Sequence, residues 1–143
     1  MSFDFKIIKG DIKIGSDGSP EKVFRYPKLK QDLIKILLTD NGENKYHPSY
    51  GSDLGRLDIG TNADQYFVES ELSSSAARAI NKLMQLQDFQ RKRQYISPQE
   101  TIIKINSVSV FRDTSDPRMW NIFVSVITAG LDEVNETLTI KLI

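Results

Sequence analysis

The chain has 143 residues, with 19 basic side chains, 19 acidic side chains and no cysteine. This length suits one domain that buries roughly two-thirds of its unfolded surface, and the missing cysteines exclude disulfides and thiolate metal sites. Because the charges cancel, the chain has no overall field that would collect nucleic acid. Nor does any stretch of the sequence approach the roughly 18 consecutive apolar residues of a membrane span, so we expect neither a nucleic-acid partner nor a membrane span.

The apolar side chains of the N-terminal stretch form two loosely alternating runs, Phe3, Phe5 and Ile7 and then Ile12 and Ile14. This pattern predicts either a short hairpin or an arm that lies along the domain. A turn-forming stretch rich in Gly, Ser, Asp and Pro follows at residues 15–20. We therefore assign residues 1–25 to an N-terminal arm or hairpin and residues 26–143 to a single domain.

An amphipathic helix is predicted next, ending near Thr39. Its apolar side chains share one stripe of a 3.6-residue period: Leu29, Leu33, Ile36 and Leu37. Pro27 is acceptable in a first helical turn. The turn residues Asp40-Asn41-Gly42 end the helix, because the glycine can take the left-handed conformation found at helix ends.

A loop with a defined shape follows, from Glu43 to Asp53. Pro48 restricts the residue before it to an extended conformation, and Gly51 permits a turn that a residue with a side chain would resist. Tyr46 and Tyr50 flank the proline, and we expect both to pack on the first helix.

A second helix is predicted from about Asp64 to Gln94, where apolar residues keep helical spacing without a Gly or Pro. Capping residues at 61–64 mark its start. The small residues at 73–77 allow another element to approach the helix closely, most simply the domain's own sheet.

Three strand patterns complete the chain: Thr101–Phe111, Met119–Thr128 and Thr137 to the C-terminus. In the first, Ile103 and Ile105 share one parity and Val108 and Val110 the other, so a β-bulge is predicted near residues 106–107. Two helices followed by these strands predict an α+β fold, with the helices packed on a small, mainly antiparallel sheet.

The first helix and its loop carry a pattern of residues in a defined order, namely Thr39, Gly42-Glu43 and Pro48-Ser49-Tyr50-Gly51-Ser52-Asp53-Leu54. This pattern resembles the small baseplate-wedge family of contractile phage tails, the T-even type included, whose members in type VI secretion systems build the equivalent baseplate. The order of helices and strands agrees with that family from Leu29 onward. The chain departs from the family's Glu-Pro-Arg signature, because Ser97-Pro98-Gln99 keeps only the proline. The ionic contacts of that signature therefore do not transfer, although Glu100 is a candidate local substitute.

The resemblance implies a structural role. Family members sit at the core of the baseplate wedge in several copies around the tail, bind larger wedge proteins, and seed the sheath by exchanging β-strands with its subunits. For this chain it implies a place in the virion's tail baseplate, assembled in the host cytoplasm, with no cofactor. The implied motif positions are Gly42, Glu43, Pro48, Tyr50, Gly51, Asp53, Leu54 and Pro98.

The C-terminal strand is the candidate partner-binding element. Leu138, Ile140 and Leu142 alternate with Thr137, Thr139 and Lys141, which is typical of a half-buried strand. Such a strand often lies at a sheet edge and offers backbone groups to another chain. From the residues alone, an edge that pairs only internally fits equally well, and the resemblance favours strand exchange through Thr137, Thr139 and Lys141.

Some family members carry an old lysozyme-like label, so a peptidoglycan-cleaving enzyme is one alternative. Such an enzyme needs two opposed carboxyls, one of them held protonated. The candidates Glu43, Asp53 and Asp58 belong to an exposed loop or its surroundings, and the single histidine, His47, has no metal-ligand or triad partner at suitable spacing. We therefore predict no enzyme, catalytic residue or metal site. A regulatory adaptor that shares this fold is the other alternative.

Overall fold

Two helices lie against one face of a three-stranded antiparallel sheet in the computed structural model, which describes residues 3–56 and 64–141. This arrangement confirms the predicted α+β class. The strands and helices in chain order are β1 (Asp4–Phe5), β2 (Ile7–Ile8), β3 (Asp11–Ile12), β4 (Lys22–Val23), α1 (Arg25–Leu38), α2 (Gln65–Arg91), β5 (Ile102–Arg112), β6 (Met119–Thr128) and β7 (Glu133–Lys141). Short 3₁₀ turns at Leu54–Arg56 and Pro98–Glu100 connect them.

Helix α1 buries the predicted apolar stripe. The side chains of Leu29, Leu33, Ile36 and Leu37 are essentially inaccessible to water. The helix begins at Arg25, earlier than the apolar stripe, and ends as predicted at Thr39, whose N–H and hydroxyl both donate to the Lys35 carbonyl, at 3.1 and 2.6 Å.

Helix α2 starts where predicted, with the Asp64 carboxylate accepting from the Tyr66 N–H. The predicted capping residues 61–63 lie outside the described residues. The helix ends at Arg91, three residues before the predicted Gln94, and the N–H groups of Arg93 and Gln94 share the Gln90 carbonyl in the turn that follows. Its buried face combines apolar and small side chains: Val68, Leu72, Ser75, Ala76, Ala79, Ile80 and Leu83.

The sheet has the order β5-β6-β7, and its inner face closes the core with buried side chains on all three strands: Ile102, Val110, Trp120, Ile122, Val124, Val126, Val134 and Leu138. The predicted bulge is confirmed by a register shift between Ile105 and Ser107. A second shift, between Ile102 and Lys104, was not predicted. This second shift turns Ile102 inward and leaves Ile103 48% exposed. The prediction that Ile103 and Ile105 lie on the same apolar face is therefore wrong.

The N-terminal stretch contains the predicted hairpin, formed by β2 and β3, and also an antiparallel β1–β4 pair that was not predicted. The side chain of Gln31 on α1 holds this layer, because its oxygen accepts from the Ile7 N–H at 2.9 Å and its amide donates to the Phe5 carbonyl at 2.8 Å. The division of the chain near residue 25 stays a prediction. No helix in the described ranges is long and apolar enough to cross a membrane.

Candidate functional site

Strand β7 forms one edge of the sheet, and the register shows which of its backbone groups face outward. The Thr128 N–H donates to the Asp132 carbonyl at 2.9 Å, so Ile127 and Glu133 form a non-hydrogen-bonded pair. Pairing then alternates without a register shift up to Met119 and Lys141. The even-numbered residues of β7 therefore bond to β6, and the N–H groups of the odd-numbered residues point away from the sheet.

Thr137, Thr139 and Lys141, the three positions predicted from the sequence, all belong to this outward set. Their side chains are exposed on the sheet face that the helices do not cover. Within the described ranges none of their N–H groups donates to another backbone group, although that of Thr137 lies 3.4 Å from the Glu136 carboxylate. The edge of β7 therefore offers a row of backbone donors and acceptors to another strand.

The opposite edge, on β5, is partly occupied by the protein itself. The outward N–H of Ile102 donates to the side-chain oxygen of Gln87 at 2.9 Å, and the Gln87 amide donates to the Glu100 carbonyl at 2.7 Å. Gln87 is buried on α2. This helix thus caps the start of β5.

The predicted loop is fixed between the two helices by its backbone. Ser52 is buried; its N–H donates to the Thr39 carbonyl at 2.8 Å and its hydroxyl to the Leu37 carbonyl at 2.6 Å. On the other side, the Asp53 N–H donates to the Ser75 hydroxyl at 3.2 Å. Ser75, one of the small residues of α2, therefore contacts this loop, whereas the sequence predicts the sheet as their simplest neighbour.

Gly51 lies at the closest approach between the loop and α1. Its φ of +122° is rare for residues with a side chain, and a Cβ there would lie 2.5 Å from the Thr39 carbonyl oxygen. The ammonium of Lys82 donates to the Asn41 side chain at 2.8 Å and lies 3.4 Å from the Gly51 carbonyl. Lys82 of α2 therefore contacts both ends of the loop. The two ends are also joined directly, because the Asn41 amide donates to Asp53.

The other motif residues shape the same loop. The Gly42 N–H donates to the Pro48 carbonyl at 2.8 Å, and the Glu43 carboxylate accepts from the Asp40 N–H at 3.2 Å. Leu54 is buried in the core. Tyr50 packs against the core as predicted, but the prediction for Tyr46 is wrong: its side chain is 86% exposed, because it lies at the outer turn of the loop.

Burial of Tyr50, helped by the nearby Asp32 and Asp4, raises the pKa of its phenol to about 12. An unfolded tyrosine ionises near pH 10, so the stability from burying the neutral phenol is present below about pH 10 and is lost as the pH rises toward 12. We expect the tyrosinate absorbance titration of the folded protein to contain a component near pH 12. That component should be absent from Tyr50→Phe; its persistence would mean that another tyrosine carries it.

The turn after α2 buries Glu100, the candidate local substitute for the missing signature. Pro98 opens a 3₁₀ turn, and Glu100 is only 3% exposed. One carboxylate oxygen accepts from both the Ser97 N–H at 3.1 Å and the Ser97 hydroxyl at 2.9 Å, and the first of these bonds is the carboxylate half of a capping box. Only Oε2 of Glu100 is bonded to its own turn; Oε1 is buried and has no hydrogen-bond partner in the described ranges, so the role of Glu100 as a local substitute stays a prediction.

The predicted carboxyl candidates do not form an opposed pair in the described ranges. Glu43 is exposed and caps its own turn, whereas Asp53 is held by Asn41 and lies 3.8 Å from Arg78. Asp58 lies outside the described residues. His47 is exposed, and no group of three or more His, Cys, Asp or Glu that could hold a metal occurs in the described part of the chain.

Two other carboxyls, not singled out from the sequence, are paired with lysines. Burial raises the pKa of Asp32, although the Lys28 ammonium at 2.7 Å opposes the rise. For Asp4, partial burial also acts to raise the pKa, but hydrogen bonds from Lys35, at 2.6 Å, and from Gln31 outweigh it and lower the pKa. The i,i+4 spacing of Lys28 and Asp32 on a helix was the available signal for their contact.

Solved structures share the fold. One of them comes from Geobacter sulfurreducens, is described as a "putative tail lysozyme", and matches with a TM-score of 0.58 and 15% sequence identity over 80% of this chain and 88% of that chain. No protein-family model matches the sequence, and no curated protein does. The similarity establishes a fold that a tail-related protein also has.

Proposed function

We propose that this chain is a structural component of the baseplate wedge of a contractile injection machine, where it binds larger wedge proteins and seeds the sheath by β-strand exchange. The observation that carries the proposal is the open β7 edge, with the N–H groups of Thr137, Thr139 and Lys141 directed outward. Backbone pairing at such an edge supplies affinity, and alternating side chains supply specificity. The tail-related description of a structural neighbour supports the same setting.

The loop contributes a rigid support. Its contacts with Thr39, Leu37 and Ser75 fix the loop to both helices, and these helices back the sheet that presents the edge. A fixed edge loses less conformational entropy on binding than a mobile one. In this role the protein occupies the tail baseplate of the virion and is assembled in the host cytoplasm.

We further propose that the chain is not an enzyme. The neighbour's description names a lysozyme, and Asp32 has a raised pKa, as the acid of a glycosidase requires. However, an acid that must donate a proton is poorly served by an ammonium at 2.7 Å, which favours the ionised form. The Lys28–Asp32 pair instead has the geometry of a structural ion pair along one helix.

Two measurements, one on the purified chain and one on a tagged copy made during particle assembly, separate these functions. The purified chain should leave a peptidoglycan suspension turbid, while an affinity-tagged copy made during particle assembly should co-purify with much larger chains and be retained in finished particles. Clearing of peptidoglycan that is lost in Asp32→Asn would establish the enzyme instead. Binding to one soluble protein, with absence from particles, would establish the adaptor.

A further inference from the structure

A groove between the N-terminal hairpin and α1 has an apolar lining that the loop and the β7 edge do not use. It encloses about 470 Å³. Ile7, Val23, Pro27 and Ile34 supply its apolar side chains, and Ile7 is 40% exposed. This apolar lining can bury one large apolar side chain from another molecule.

The charged residues that line this groove all have the same sign. They are Lys6, Lys9, Lys30 and Lys35, and no acidic residue among those that the structure describes lines the groove. Lys35 is paired with Asp4 at 2.6 Å, and Lys6 lies 3.9 Å from Glu21. Within the described ranges neither Lys9 nor Lys30 forms an ion pair, although Lys30 also borders a second cavity lined by acidic residues of the β6–β7 turn.

Hydrogen bonds to backbone groups hold the walls of the groove in place. Gln31 joins the hairpin to α1 through the Ile7 N–H and the Phe5 carbonyl. The Lys6 N–H donates to the Glu21 carbonyl at 2.8 Å, which ties the hairpin to the segment before α1. The groove is therefore formed before any partner arrives, which reduces the ordering cost of binding.

Lys9 occupies an unusual backbone position. It and Gly10 form the turn between β2 and β3 with φ of +52° and +82°, a geometry for which Asn-Gly is the preferred pair. A lysine in this left-handed conformation is less favourable than an asparagine. At this position it adds an exposed ammonium to the groove, which an asparagine would not.

We propose that this groove binds an acidic segment of a partner protein, with one large apolar side chain among its apolar residues and carboxylates facing Lys9 and Lys30. The apolar lining favours a peptide over a bare phosphate, since a phosphate would leave that lining in water. The site is distinct from the β7 edge and does not depend on strand exchange. It gives the molecule a second, salt-sensitive contact for a protein partner.

A displayed library of random peptides, selected on the full-length protein, tests the site. Selected peptides should be rich in Asp and Glu around one Leu, Phe or Trp. A synthetic copy of the most enriched peptide should bind at least about tenfold more weakly to Lys9→Glu/Lys30→Glu, which removes two favourable charge pairs and adds repulsion, and its affinity should fall as salt rises. Lys45→Glu, an exposed loop lysine with the same charge change, is the control and should bind normally.

Folding of the double variant is checked first. Both reversed lysines are exposed, so circular dichroism should show intact folding in the double variant. Peptides without acidic enrichment, or equal binding by the double variant, would overturn the site. Anionic vesicles or duplex DNA, tested in parallel, would overturn the peptide assignment if their binding alone depended on Lys9 and Lys30. A result that overturns this groove site does not bear on the proposed sheath contact, because separate variants test the β7 edge.

Discussion

Baseplates that carry Thr139→Pro should assemble but fail to grow sheath. The Thr139 N–H points away from β6, so proline removes an outward donor without breaking a bond inside the sheet, and its ring blocks the approach of an added strand. One lost backbone hydrogen bond is worth about 1 kcal/mol net, and the steric clash adds to this. We expect sheathed particles, counted by electron microscopy, to fall by at least about tenfold.

Two variants control this experiment. Thr139→Ala loses the hydroxyl contact with Asn121 but keeps the edge N–H, so it should support sheath of normal length. Ile140→Pro removes an N–H that pairs with Trp120, so it should unfold the sheet and serve as a check on the assigned register. Normal sheath on a folded Thr139→Pro baseplate would mean that the domain acts only within the wedge. Lys141→Pro, also directed outward, repeats the test one pair further along.

Gly51→Ala should lower the free energy of unfolding more than Gly42→Ala does. The positive φ alone costs about 1 to 3 kcal/mol for a residue with a side chain. At Gly51 the new Cβ also falls 2.5 Å from the Thr39 carbonyl oxygen, which belongs to backbone and cannot swing aside. The loop must therefore shift away from α1, and the free energy of unfolding, measured in denaturant, should fall by more than the φ cost.

Gly42→Ala is the matched variant, because Gly42 has φ of +84° and no atom within 4 Å of the added Cβ. It should lose only about 1 to 2 kcal/mol, the cost of the left-handed conformation. The difference between the two variants combines the close approach of loop and helix at Gly51 with its less favourable φ of +122°. Equal stability losses would contradict the packing described for Gly51.

Local rules account for the elements that the sequence predicted well. The stripe from Leu29 to Leu37 and the alternation from Met119 to Thr128 are periodic, and a residue's place in such a period sets which face it presents. The bulge near Ser107 was readable because the apolar parity changes there. The earlier shift at Ile102 left no such mark, since Ile102, Ile103 and Ile105 are all isoleucine and parity alone cannot choose among them.

Contacts between distant residues explain what the sequence missed. Gln87 and Gln31 are ordinary polar residues on their helices, yet one caps β5 and the other holds the hairpin. The fold also buries Glu100, and its turn bonds only one of the two carboxylate oxygens. Such roles depend on what lies opposite each side chain, and a single sequence does not state that.

The sequence by itself determined the α+β class, the turn chemistry at Gly51 and the alternating pattern of the C-terminal strand, because each depends on residues close together in the chain. Only the tertiary structure decided that Thr139 and Lys141 direct their N–H groups outward. The alternation of side chains is the same whichever strand lies beside β7, so it does not specify which N–H groups are paired. Likewise, only the fold brings Lys9 beside Lys30, as a charge pattern in space depends on how the hairpin packs on the helix.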